Sequence, residues 1–95
     1  MNGYSDNLTF NTEQLQSQIG ILEQVRDTIQ VSKNNYIDYI NNQLRPAWNT
    51  DAGQQTVNQL INFAETDIEA FITYLTERIS DLEAAKVKTI QIDQA

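Results

Sequence analysis

The feature that most constrains this chain is a short stretch near its middle, Arg45-Pro46-Ala47-Trp48-Asn49-Thr50-Asp51-Ala52-Gly53. It holds the only proline, the only tryptophan and the only glycine after Gly20. On either side runs a segment of more than thirty residues with helical periodicity and no strong breaker. Proline disfavours the α conformation at the residue before it, so the spacing predicts that the first helix stops near Leu44. A second helix then begins within a few residues, and so short a connection makes the two antiparallel neighbours. The expectation is an all-α fold, an antiparallel helical hairpin with a tryptophan at its bend.

Apolar periodicity fills in both arms. In the first, Leu15, Ile19, Leu22, Val25, Ile29, Tyr36, Ile40 and Leu44 recur at steps of three or four, with longer gaps only around Lys33. In the second, Ile61, Ile68, Leu75 and Leu82 stand seven apart, as in a heptad seam, and Phe71 widens the stripe. The predicted elements are a flexible lead over 1–10, helix 1 over about 12–44, a bend over 45–51, helix 2 over about 52–85 and an extended tail over 87–95. Residues 11–86 thus form the hairpin proper. Asn11 with Gln14 has capping-box spacing, and Phe10 with Leu15 that of a hydrophobic staple. Thr50 or Asp51 can cap helix 2, and Asp51 with Gln54 again has capping-box spacing. Gly20 falls inside helix 1, where it is either simply tolerated or admits a close neighbour.

The apolar arcs are wide. At about 100° per residue they cover roughly 160° in helix 1 and 180° in helix 2. A hairpin hides only the seam where its helices meet, which needs a narrower stripe. A contiguous apolar row left over usually marks an interface. We therefore expect dimerisation into a four-helix bundle through Leu22, Ile29, Tyr36, Ile40, Ile61, Ile68, Phe71, Leu75 and Leu82. Arg26, Lys33, Asp67 and Arg78 interrupt these rows. If residues pair symmetrically about the bend, Lys33 comes within a turn of Asp67, where the two either set register or snorkel at the edge.

Charge and residue types narrow the function. Thirteen acids against six bases give a net charge of −7, with no histidine and no cysteine. Phosphate binding requires clustered Lys and Arg, so a nucleic-acid partner is not expected. Without His or Cys there is no thiol nucleophile, no disulfide, no His-dependent triad and none of the usual zinc sites. Pairs such as Glu65 with Glu69 lie just outside the apolar arc, facing water, with no apolar pocket to raise a pKa for acid catalysis. The sequence carries no phosphate loop and no nucleophile elbow. No enzymatic activity, cofactor, metal or small-molecule substrate is expected. Residues 1–10 have neither the basic start nor the apolar centre of a secretory signal.

Two long helices, about a hundred residues and the bend Ala47-Trp48-Asn49-Thr50-Asp51-Ala52-Gly53 resemble the WXG family, the ESAT-like substrates of type VII secretion. Trp48 matches the motif tryptophan. The glycine position two residues later is Thr50 here, with Gly53 three residues further on, and the family's Tyr-x-x-x-Asp/Glu export signal has no match. The resemblance implies a homodimer, or a heterodimer with a related small helical protein or an effector. It also implies export from the cytoplasm by a secretion ATPase without a cleaved signal peptide, to the medium or the cell surface. A dimer partner would then supply the export signal. Trp48, Asn49, Thr50 and Gly53 become candidates for a recognition surface at the bend, or Trp48 simply closes the end of the bundle. The other reading is an intracellular helical adaptor or assembly factor that shares only the hairpin shape.

Overall fold

The structure, a computed structural model, describes residues 2–94, and side chains over 12–90. The fold is all-α, a helical hairpin. Its elements are α1 (Asn2–Tyr39), a widened π turn π1 (Ile40–Leu44), α2 (Arg45–Ala47), α3 (Asp51–Phe63), a second π turn π2 (Ala64–Ile68) and α4 (Glu69–Gln94). The chain divides into two compact units: unit 1 pairs Met1–Arg26 with Leu75–Ala95, and unit 2 is the continuous stretch Asp27–Tyr74.

Unit 2 contains the bend. Lys33 meets Glu69, Tyr36 meets Leu60 and Arg45 meets Gln54; as the first number rises the second falls, so the arms are antiparallel. Ile40, Val57, Ala64 and Ile72 are its buried apolar residues. In unit 1, Ile19, Leu75 and Ile79 are buried. There the Lys86 ammonium bridges the two segments by donating to Gln16 Oε1 at 2.6 Å, and it also pairs with Glu83 at 3.2 Å.

Several expectations are corrected. Helix covers the predicted flexible lead from Asn2 onward, so the backbone of Asn11 lies inside α1 and not at a helix start; the predicted Asn11–Gln14 box and Phe10–Leu15 staple rest on Phe10 and Asn11 side chains outside the described ones. The predicted extended tail is helical to Gln94. Its β-branched residues are weak helix formers but not breakers, and adding a residue to an existing helix costs far less than starting one. Thr89 shows how they are accommodated, its hydroxyl donating to the Ala85 carbonyl one turn back at 2.9 Å.

The first helix also does not stop at Leu44. Arg45, directly before Pro46, keeps helical angles (φ −57°, ψ −49°), and its N–H donates to the Ile40 carbonyl five residues back. In a regular α-helix the ring of Pro46 would collide with the carbonyl of Asn42. The wider π turn relieves that conflict, and helix continues to Ala47.

The second π turn redirects a whole face. The buried apolar residues of this arm are 57, 64, 72, 75 and 79, and the step from Ala64 to Ile72 is eight. An eight-residue step overshoots two α-helical turns by about 80°, and π2 absorbs the extra residue. Ile72 is therefore 6% exposed while Phe71, seven after Ala64 and the α-helical choice, is 48% exposed. The heptad seam is broken in the same way: of Ile61, Ile68, Leu75 and Leu82 only Leu75 is fully buried. Glu69, its side chain still partly exposed, takes Lys33 at 2.6 Å, in place of the predicted Asp67.

Candidate functional site

Two places collect the predicted site residues, both within unit 2. The first is the bend. Trp48 ends α2 with φ −117° and ψ 63°. Thr50 is extended and caps α3, its Oγ1 accepting the Gly53 N–H at 3.0 Å. That cap is the reason the chain can reverse over Trp48–Thr50, since it satisfies one of the first N–H groups of the new helix. Gly53 is buried, and a Cβ built on it would lie 2.5 Å from Cγ, Cδ1 and the carbonyl oxygen of Trp48. No described glycine has a positive φ, so Gly53 serves by lacking a side chain and not by conformational freedom. The indole thus lies on the first turn of α3, while the residue remains 42% exposed. Asn49 and Thr50 beside it are exposed.

Gln54 is the bend residue that sequence reasoning misplaced. The Asp51–Gln54 capping box does not form. Instead the Gln54 amide donates from Nε2 to the carbonyls of Arg45 and Trp48, each at 3.0 Å. These carbonyls lie in the last turn of a helix, where partners along the chain run out. Gln54 Oε1 in turn accepts from Arg45 Nη1 at 3.0 Å, and Arg45 also reaches Asn58 and Asn41 at 3.2 Å each. A signal was present in the sequence: a long amide one turn into helix 2, opposite a long guanidinium just before the bend.

The second place is an apolar groove of about 480 Å³. One wall is α1, through Ile29, Ser32, Lys33 and Tyr36; the other is helix 2, through Phe63, Asp67, Ile68 and Phe71. Tyr36 is fixed as a wall because its hydroxyl donates to the Leu60 carbonyl at 3.1 Å, which satisfies its polar end and leaves the ring to the groove. Lys33 is only 13% exposed in its side chain, held by Glu69. Phe71 stacks on Tyr74 with centroids 6.5 Å apart and planes 9° apart. With Phe63 these rings form an aromatic row, each residue about half exposed. The row exists because π2 turns Phe71 away from the core.

The remaining predicted interface residues are distributed by burial. Ile40 and Leu75 are buried; Leu22, Ile29, Tyr36, Ile61, Ile68 and Leu82 are half-buried; Phe71 is exposed. The groove brings together Ile29, Tyr36, Ile68 and Phe71 from that set. Phe63 belongs with them. Gly20 has no neighbour within 4 Å of an added Cβ, so no close approach within the described residues requires it.

Among the described residues, no group of three or more acidic, His or Cys side chains could hold a metal ion, and no helix is long and apolar enough to cross a membrane. The arrangement offers apolar surface with sparse polar groups. No family model, curated protein or solved structure matches the chain.

Proposed function

We propose that this chain acts by helix–helix association, with a second copy or with a related helical protein or effector, as a non-enzymatic substrate or escort of a type VII secretion system. The observation that carries the association is the half-exposed aromatic row Phe63, Phe71 and Tyr74 beside the groove. Large apolar side chains left in water next to one another are covered when a partner helix lies along them, each gaining up to roughly 1.5–3 kcal/mol on full burial. The contact of Trp48 with Gly53 supports the secretion part of the reading. Although Gly53 is five residues on in sequence, it supplies the side-chain-free surface against which the indole packs, and the exposed indole face beside Asn49 and Thr50 is available for recognition.

Two measurements test this. Sedimentation of the full chain at micromolar concentration, alone and with neighbouring helical proteins of its genome, is expected to show a dimer that Phe71→Ser weakens. A compact monomer under all these conditions ends the association reading. For secretion, the intact protein is expected in the culture medium, dependent on a type VII ATPase, and Trp48→Ala is expected to reduce its export at an unchanged melting temperature. Export that continues without the ATPase removes the secretion assignment.

A further inference from the structure

We infer that the unit 2 groove selects a partner helix carrying a basic residue between apolar ones, in preference to a second copy of this chain. This rests on the association reading and goes further by naming the partner's chemistry.

Two charges line the groove, and they differ in state. Lys33 is spent on Glu69 at 2.6 Å. Asp67 is exposed and has no ion-pair partner among the described residues. It stands about a turn from both Phe63 and Phe71, in a wall otherwise apolar. A helix lying in the groove would cover this carboxylate with hydrocarbon. An apolar residue there would strip it of water with no return, and an acidic one would add repulsion. A Lys or Arg satisfies it, and the flanking ring faces accept the stem and the cation. The wall from Phe63 to Phe71 is about 12 Å long at 1.5 Å per residue. That suits one basic residue with an apolar residue roughly one turn to either side.

A second copy meets this requirement poorly. The chain has six bases against thirteen acids. Arg26, Lys33, Arg45, Arg78 and Lys86 are engaged within the chain itself, which leaves Lys88 near the end of α4 as the one remaining base among the described residues. Two copies at −7 each also repel, whereas a basic partner is drawn in.

The test uses the full-length chain and two helix-stabilised amphipathic peptides, identical except for Lys or Glu at the central position, read by fluorescence anisotropy. The Lys peptide is expected to bind roughly tenfold tighter at low salt, with the gap narrowing as salt is added. Asp67→Lys is expected to reverse the order, and Phe71→Ser to weaken both peptides. Equal affinities, or an order that Asp67→Lys leaves unchanged, overturn the inference. If Asp67→Lys proves unfolded by circular dichroism, the unaltered chain decides, and a preference insensitive to salt overturns it. A tight self-dimer that binds neither peptide overturns this inference while the association reading stands. A monomer that binds neither sinks both.

Discussion

The two π turns of unit 2 have the same shape and different causes. In π1 a proline follows immediately, and the widened turn lets helix pass a residue that would otherwise break it. In π2 there is no proline and no glycine; Ala64-Glu65-Thr66-Asp67-Ile68 are ordinary helix residues with one more of them than the α period allows. The first turn leaves the buried series undisturbed, since Ile40, its first residue, is the last buried one of the first arm. The second decides which side chains of helix 2 face inward, and so creates the groove wall. A π turn can repair a local conflict, or it can act as a one-residue insertion whose consequence is felt a turn or two further on.

The largest test of that contrast compares adjacent residues. Ile72→Ala is expected to lower stability by about 3 kcal/mol, the usual scale for emptying a buried aliphatic site. Phe71→Ala is expected to cost less than about 1 kcal/mol in the isolated chain, because half of that residue is already in water. Chemical denaturation of both variants reads the difference. An uninterrupted α-helix from Ala64 places Phe71 inward and predicts the opposite order, so reversed values would remove π2 from the account.

That pair also marks the limit of what the sequence made legible. The hairpin and its bend could be read because Pro46 marks the neighbourhood of the break, although helix runs through it to Ala47, and Thr50 carries the side chain of an N-cap. Continuous helical periodicity identified both arms. A π turn without proline leaves no such mark: residues 64–68 look like any other helix, and the regular period carried through them assigns the wrong face to Phe71 and the wrong partner to Lys33. Contacts made by long side chains across the bend left only a hint, a long amide opposite a long guanidinium. Gln54 had a local capping role available at its spacing, and only the three-dimensional placement of the Arg45 and Trp48 carbonyls gives it a different one.

Between the two π turns the bend depends on a missing atom. Gly53→Ala puts a Cβ 2.5 Å from ring and backbone atoms of Trp48. The backbone oxygen cannot move aside as a flexible side chain would, so the indole and the first turn of α3 must separate. A loss of about 2 kcal/mol is expected, within the usual range for overpacking, with a blue-to-red shift of Trp48 fluorescence as the ring becomes wetter. An unchanged melting temperature and spectrum would show that Trp48 does not rest on this turn. Because Gly53 lies beyond π1 and before π2, the substitution loosens the bend while leaving the phase of helix 2 intact.

The smallest expected effect is the most specific to π2. If that turn carries one surplus residue, removing an exposed one should return it to ordinary α-helix. Thr66 is exposed, and its hydroxyl bonds only to the Asn62 side chain at 3.3 Å among the contacts described. Deleting it should keep Ile72 inward and Lys33 paired with Glu69, and should change stability by less than about 1 kcal/mol, as surface changes away from special features do. A deletion in a regular helix has a very different effect: everything beyond it turns by about 100°, which would carry Ile72 out of the core and cost several kcal/mol. Hydrogen exchange at Glu69 and Ile72 distinguishes the outcomes, since a closed α turn protects these amides at least as well as π2 does. A deletion variant that melts early and loses that protection would mean the surplus residue lies elsewhere in helix 2. The near-neutral result expected here would show that π2 holds one surplus residue, and that this residue sets which of Phe71 and Ile72 faces inward.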